Sequence, residues 1–194
     1  MARDIRGLLL CGGRASRFGS DKLLSGEKPI VADAARRLKE ALADVVAVIP
    51  LGKSRLRAVL EAEGCEVLET DRTALGMAGS LVAGVKASER ADGWVIALGD
   101  MPRVRVETIR AVADAVREGA AIALPADAHG RRGHPVGFSA EMREELLALQ
   151  GDVGARAVLE RDAGRIRTIV TDDNGIFVDI DTPRDLESLK GKDP

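Results

Sequence analysis

The chain has 194 residues, 45% hydrophobic and 31% charged, with 29 basic and 31 acidic side chains and a net charge of −2. A chain of this length can bury about 70% of its unfolded surface, so we expect one domain over residues 1–194 with a frayed tail at 190–194. The balanced charge and the small number of aromatic residues, one Trp and three Phe, argue against nucleic-acid binding.

The longest apolar run near the N-terminus, Leu8–Cys11, is far shorter than a membrane span or the core of a signal peptide. We therefore expect a cytoplasmic protein that does not contact membranes. The two cysteines, Cys11 and Cys65, have neither zinc-site nor CxxC spacing, so we expect them to be buried core residues.

Short apolar runs alternate with amphipathic segments along almost the whole chain. The runs, which predict strands, are Ile5–Cys11, Val45–Ile49, Glu66–Leu68, Trp94–Leu98, Ala121–Leu124, Arg167–Val170 and Ile176–Ile180. The segments with helical periodicity are Ile30–Leu42, Ser54–Glu63, Ser80–Arg90, Val106–Glu118, Ala140–Leu149 and Pro183–Leu189. This order predicts a single α/β sandwich with a largely parallel sheet, whose ligands bind beyond the carboxyl ends of the strands.

The loop after the first strand is predicted to bind a polyphosphate. The adjacent glycines Gly12 and Gly13 let the backbone approach an anion, and Arg14, Arg17 and Lys22 supply positive charge. The alternative is a solvated glycine turn. Neither the P-loop pattern nor the dinucleotide fingerprint matches this segment, so the loop belongs to another class of phosphate site.

Acidic residues follow two later strands. Asp100 lies in a Gly-Asp-Met-Pro turn, and alternation along the predicted strand Ile176–Ile180 places Asp179 and Asp181 on one side. Asp100 and Asp181 together would form a two-carboxylate Mg²⁺ site. The alternatives are an ordinary turn at Asp100 and a helix cap at Asp181.

The segment Gly130–Phe138 contains His134 between Gly133 and Gly137. The two glycines indicate that the backbone here passes close to other atoms. We predict that His134 contacts substrate, although a histidine beside a proline is more often a structural hydrogen-bonding group. His129 has no comparable context and is expected at the surface.

Taken together, these loops resemble the nucleotidyltransferases of the molybdenum-cofactor group. The first-loop segment Leu10–Leu24 and the Gly99–Pro102 turn carry the resemblance to the whole group. The segments that resemble its cytidylyltransferase branch are Gly76–Leu81, Gly133–Val136, Gly151–Arg156 and Asp179–Pro183. The paired glycines of the first loop are more typical of the guanylyl branch. The matching segments follow one another in order from residue 8 to residue 186.

The resemblance implies a Rossmann-like three-layer α/β/α sandwich of the nucleotide-diphospho-sugar transferase type, with one antiparallel strand. It implies Mg²⁺-dependent transfer of CMP from CTP to molybdopterin, with release of pyrophosphate and a molybdoenzyme as recipient of the product. The implied catalytic residues are Lys22, Asp100 and Arg17, the substrate contacts His134 and Asp179, and the metal ligands Asp100 and Asp181. The implied nucleotide contacts are Leu10, Cys11, Gly12, Gly13, Arg14, Arg17, Lys22, Asp71, Gly79, Ser80 and Asp100.

Other functions are compatible with the same motifs. GTP could replace CTP, and another small phosphate could replace molybdopterin. A sugar-1-phosphate nucleotidyltransferase uses a similar first loop, but such enzymes usually have additional length. A non-catalytic maturation partner of a molybdoenzyme would be suspected if Lys22 or Asp100 were missing, and both are present.

Overall fold

The computed structural model describes residues 3–12, 22–151 and 154–189. Residues 188 and 189 are described by their backbone only. These residues form one sheet of seven strands in the order β3-β2-β1-β4-β6-β5-β7. The strands are β1 Ile5–Leu10, β2 Val45–Pro50, β3 Glu66–Thr70, β4 Gly93–Leu98, β5 Ile122–Ala126, β6 Val136–Ser139 and β7 Ile166–Val170. All neighbours pair in parallel except β6, which runs antiparallel to both β4 and β5.

Helices cover both faces of the sheet. They are α1 Ile30–Ala41, α2 Ser54–Ala62, α3 Met77–Ala87, α4 Val106–Arg117, α5 Arg143–Leu147, α6 Arg156–Arg161 and α7 Pro183–Leu189. The protein has two hydrophobic cores, one on each face of the sheet. Helices α1, α2 and α4 pack on one face, and helices α3, α5 and α6 pack on the other. Central strands are apolar throughout because both of their faces are buried. The predicted three-layer α/β/α fold is therefore confirmed.

The sheet brings the ends of distant strands to one edge. Leu10, the last residue of β1, is in register with Val48 of β2 and with Leu98, the last residue of β4. The turn after β4 is tied to β1 because Gly99 N donates a hydrogen bond of 3.0 Å to the Leu10 carbonyl. The first loop and the Asp100 turn therefore begin side by side.

The prediction of a strand over Ile176–Ile180 is wrong. A 3-10 turn spans Asn174–Phe177, and irregular backbone follows it. Asp173 initiates the turn by accepting a hydrogen bond from Gly175 N at 2.9 Å. This local capping bond competes with strand pairing, which is why an apolar run here does not extend the sheet. The predicted alternation of Asp179 and Asp181 along a strand falls with it.

Three further elements differ from their predictions. The strand β6 overlaps the end of the segment Gly130–Phe138, which was not predicted as a strand, and α6 was not predicted as a helix. β6 has four residues and α6 has six. Helix α3 begins at Met77 instead of Ser80, because Gly76 at φ +86° ends the preceding 3-10 turn and turns the chain into the helix. No helix of the described ranges combines the length and apolar character needed to cross a membrane. The predicted frayed tail lies outside the described residues.

Candidate active site

Lys22 contacts both of the predicted metal ligands. Its ammonium nitrogen Nζ lies 2.8 Å from Asp100 Oδ2 and 2.8 Å from Asp181 Oδ1. Lys22 begins a 3-10 turn after the first loop, Asp100 lies in the turn after β4, and Asp181 precedes α7. A hydrogen bond of 3.0 Å from Ile180 N to the Asp100 carbonyl fixes the two acidic loops to each other.

Charge balance explains the contacts of this cluster. Burial of the Lys22 ammonium opposes its charge, but the hydrogen bonds that it donates to Asp100 and Asp181 outweigh this effect and raise the pKa of Lys22. Partial burial, followed by repulsion from Asp181 and Asp100, raises the pKa of the Asp179 carboxyl above its ordinary value. Lys22 therefore links Asp100 to Asp181, and the Asp179 carboxyl lies close enough to both to be repelled by their charges.

The donor set fits a hard divalent cation. Asp100 Oδ2 and Asp181 Oδ1 approach one point from two loops, and carboxylate oxygens are preferred ligands of Mg²⁺ and Mn²⁺. Across residues 3–12, 22–151 and 154–189, no group of three or more His, Cys, Asp or Glu side chains could enclose a metal ion. A site with two carboxylates leaves the remaining coordination positions to water and phosphate, which is how Mg²⁺ binds with nucleotides.

Three of the predicted nucleotide contacts, Gly12, Gly79 and Ser80, lie near the start of α3. A Cβ at Gly12 would lie 2.6 Å from Ser80 Oγ, so Gly12 packs closely against the first turn of α3. Ser80 Oγ is buried and has no hydrogen-bond partner among the described residues. A Cβ at Gly79 would lie 2.0 Å from the Arg72 carbonyl, which explains why glycine is needed where α3 packs against the turn that begins at Asp71.

Of the other predicted nucleotide contacts, some are buried and some lie outside the described residues. Cys11 is buried, and burial raises the pKa of its thiol, so it acts as a packing residue at the end of β1. Gly13, Arg14 and Arg17 lie outside the described residues, and their assignments stay predictions. Leu10 is buried and lines a cavity described below.

His134 lies two residues before the start of β6. Its backbone N–H donates a hydrogen bond of 3.1 Å to the Ile176 carbonyl, and its Nδ1 atom is buried with no partner among the described residues. Both flanking glycines are explained by packing against protein. A Cβ at Gly133 would lie 2.5 Å from the Ile176 carbonyl, and one at Gly137 would lie 2.7 Å from Val116. The close approach inferred from these glycines is therefore an approach to the core and to the Asn174–Phe177 turn.

A cavity of about 330 Å³ opens between the sheet and helices α3 and α6. Its walls are mainly apolar, and the polar side chains at its surface are Arg132, His134 and Arg156. Its apolar lining residues are Leu10, Met77, Leu81, Ile96, Leu98, Leu124, Val136, Phe138, Ala155 and Leu159. The two arginines were not predicted as site residues. In the sequence, Arg132 follows β5 and Arg156 begins α6, and each lies in or next to a glycine-containing segment. Such positions are equally typical of solvated loops, so the sequence did not single out these arginines.

Comparison with known proteins gives the family of this chain. A family profile described as the MobA-like NTP transferase domain matches residues 7–166. Molybdenum cofactor guanylyltransferase of Cupriavidus pinatubonensis is 29% identical over 196 residues, which cover 95% of this chain and 96% of that protein. Nicotine blue oxidoreductase of Paenarthrobacter nicotinovorans is 26% identical over 200 residues, with the same shares covered.

Solved structures show the same fold. Rv0371c of Mycobacterium tuberculosis H37Rv matches with a TM-score of 0.81 and 27% identity, over 97% of this chain and 98% of that one. Its complex with manganese matches with a TM-score of 0.77 and 26% identity, over 96% and 97% of the two chains. The resemblance seen in the sequence is confirmed: this chain belongs to the MobA-like NTP transferase family, a family of nucleotidyltransferases.

Proposed function

We propose that this protein transfers CMP from CTP to the phosphate of molybdopterin and releases pyrophosphate, with Mg²⁺ bound at Asp100 and Asp181. The observation that carries the proposal is the contact of Lys22 with both carboxylates. Cations and metal-binding carboxylates meet there at the edge where α/β sheets bind their ligands.

The proposed reaction forms one P–O bond and breaks another. A phosphate oxygen of the acceptor attacks the α-phosphorus of the nucleotide, and pyrophosphate leaves with the electrons of the broken bond. Such transfers depend on positioning and on charge neutralisation rather than on covalent chemistry by the protein. Lys22 donates hydrogen bonds to phosphate oxygens, while Asp100 and Asp181 hold the cation. The Mg²⁺ ion supplies further stabilisation of charge on the phosphates.

The two halves of the edge suit the two substrates. The nucleotide is assigned to the side of β1 and α3, where Gly12, Gly79 and Ser80 meet. The acceptor is assigned to the 330 Å³ cavity beyond β4, where apolar walls can cover a ring system and Arg132 and Arg156 can contact anionic groups. His134 lines this cavity, and Asp179 lies beside the metal ligand Asp181.

The choice of CTP rests on sequence segments and has a rival. Four segments, at residues 76–81, 133–136, 151–156 and 179–183, resemble the cytidylyl branch. The paired glycines Gly12-Gly13 favour the guanylyl branch, and the Cupriavidus relative is named a guanylyltransferase. Guanylyl transfer from GTP is therefore the second candidate. In either case we place the reaction in the cytoplasm and assign its product to a molybdoenzyme.

Direct competition between the nucleotides tests the proposal. The protein is incubated with molybdopterin, Mg²⁺ and equal amounts of CTP and GTP, and the dinucleotide is identified by mass spectrometry. We expect the cytosine product, because a pocket that hydrogen-bonds one base can reject another by about 10⁴ or more. A guanine product would establish the second candidate. No product with either nucleotide would refute molybdopterin as the acceptor.

Variants test the residue assignments in the same assay. Lys22→Ala should lower turnover by about 10²–10³, the usual loss when one contact to the transition-state charge is removed. Asp100→Asn and Asp181→Asn should raise the Mg²⁺ concentration needed for half-maximal rate. Asp114→Asn is the matched control, because Asp114 is exposed on α4 and pairs with Arg117. Full activity of natively folded Lys22→Ala would refute the assignment of Lys22.

A further inference from the structure

We propose that the Lys22 ammonium occupies the divalent-cation position in the free protein, so that the cation and the nucleotide bind cooperatively. This inference rests on the metal site of the proposed function and adds a regulation of that site. The triphosphate draws Lys22 away from Asp100 and Asp181, and the cation then replaces the ammonium between the two carboxylates.

The geometry makes the two cations competitors. Asp100 Oδ2 and Asp181 Oδ1 are each 2.8 Å from the same nitrogen atom. Mg²⁺ binds carboxylate oxygens at about 2.0–2.1 Å. An ion that bound this pair of oxygens would lie within contact distance of the ammonium, with like charges and no water between them. The carboxylates can therefore hold either the Lys22 ammonium or the divalent cation, but not both.

The cluster also shows why Lys22 stays in place when no phosphate is bound. The Lys22 side chain is only 13% exposed. If its ammonium moved away and no other cation replaced it, the charges of Asp100 and Asp181 would repel each other. Asp179 adds a third carboxylate to the same cluster. Departure of Lys22 alone would remove the positive charge that contacts both Asp100 and Asp181, and would therefore be unfavourable.

A bound triphosphate reverses this balance. The lysine side chain has a flexible four-carbon stem and can exchange anionic partners without a change in the backbone. Phosphate oxygens beside the first loop would offer the ammonium new partners, and the vacated carboxylates would then attract the divalent cation. Each ligand thus removes an obstacle to the binding of the other, which is positive coupling between two sites.

The test measures Mn²⁺ binding without nucleotide, by the loss of the free-ion signal in electron paramagnetic resonance. Lys22→Met keeps much of the side-chain volume and removes the charge, and we expect it to bind Mn²⁺ about tenfold more tightly than the wild type. Lys86→Met is the matched control, because Lys86 is an exposed lysine in the last turn of α3. This control should bind Mn²⁺ as the wild type does. If Lys22→Met does not fold, Lys22→Gln replaces it.

A second substitution separates failure of this inference from failure of the proposed metal site. Asp100→Asn in the Lys22→Met background should abolish the gain in Mn²⁺ affinity. If Asp100→Asn weakens Mn²⁺ binding but Lys22→Met does not tighten it, the competition is refuted and the metal site stands. If Asp100→Asn has no effect in either background, the metal site itself is refuted.

Nucleotide provides the final comparison. A CTP analogue that cannot be cleaved between its α- and β-phosphates should tighten Mn²⁺ binding in the wild type. It should do so to a smaller degree in Lys22→Met, in which the competing ammonium is already absent. Equal tightening in both proteins would contradict the proposed exchange.

Discussion

At the scale of single residues, His134 illustrates how burial selects a protonation state. Burial disfavours the charged imidazole and lowers the pKa of His134 below 6.5, although Asp100 and a hydrogen bond to the backbone of Ile96 act in the opposite direction. Its Nδ1 atom is buried without a partner among the described residues. A proton placed on this nitrogen would have no acceptor in that part of the structure, so His134 is neutral at neutral pH.

Folding stability should consequently fall in mild acid. In the unfolded chain His134 takes up a proton near its ordinary pKa of 6.5, whereas the folded protein resists it. The contribution to stability is complete above 6.5 and is lost as the pH falls from 6.5 through the lowered folded pKa. Thermal melts at pH about 7.5 and about 5.5 measure the effect. The difference between the two melting temperatures should shrink in His134→Gln.

His129→Gln is the control, since His129 is exposed and the chain has two histidines. It should retain the pH dependence of the wild type. A His134→Gln protein with an unchanged pH dependence would show that another group is responsible.

At the scale of structural elements, the buried carboxylate of Asp173 connects the segment after β7 to the start of α4. Asp173 Oδ2 accepts hydrogen bonds from Arg105 N at 2.8 Å and from Thr108 Oγ1 at 2.7 Å, and Oδ1 accepts one from Gly175 N. A negative charge at the N-terminus of α4 is also favourable for the helix dipole. The segment that continues to Asp181 is therefore anchored eight residues before the metal ligand.

Replacing this carboxylate should affect both the fold and the site. Asp173→Ala leaves three buried or partly buried donors without their acceptor, and we expect a loss of about 3 kcal/mol in the free energy of unfolding. Because the loop with Asp181 loses its anchor, Mn²⁺ affinity should also fall. Urea denaturation and Mn²⁺ titration measure the two effects.

Asp172→Ala is a control from the adjacent position. Asp172 is 91% exposed and pairs with Arg105 at the surface, so its removal should cost less than about 1 kcal/mol. Equal destabilisation by both substitutions would contradict the anchoring role of Asp173.

At the scale of the whole molecule, both thiols are enclosed by the packed layers. Cys11 and Cys65 are free and buried in the core beside α1 and α2, as the sequence predicted. Burial is the main cause that raises the pKa of the Cys65 thiol to about 11, and it raises the pKa of Cys11 as well. The thiolate is the reactive form, so both groups should be inert in the folded protein.

Thiol labelling tests this enclosure. At pH 8 a thiol with a pKa of about 11 is ionised in only about one molecule in a thousand. Native protein should react slowly with a disulfide reagent such as dithionitrobenzoate, and urea-unfolded protein should release two equivalents at once. If one thiol of the native protein reacted faster, the variants Cys11→Ser and Cys65→Ser would show which cysteine is responsible. Rapid labelling of the native wild type would contradict the burial of the thiols.

Local patterns determined much of this molecule. The strands β1, β2 and β4 and the helices α1 and α4 could be predicted because their periodicity and length are visible within a few residues. The fold class followed from their alternation. The candidate site was also accessible in outline, because a glycine loop with cations after one strand and an acidic turn after another have chemical meaning on their own.

Only the tertiary structure decided the features that depend on distant partners. The strand β6 has four residues and exists because β4 and β5 pair with it, whereas the apolar run Ile176–Ile180 leaves the sheet because Asp173 caps a turn there. Lys22 lies 78 residues from Asp100 and 159 from Asp181, so no local pattern could reveal that one ammonium contacts both. That contact, and the cavity beside it, arise because parallel strands bring their carboxyl ends to one edge regardless of their order in the chain.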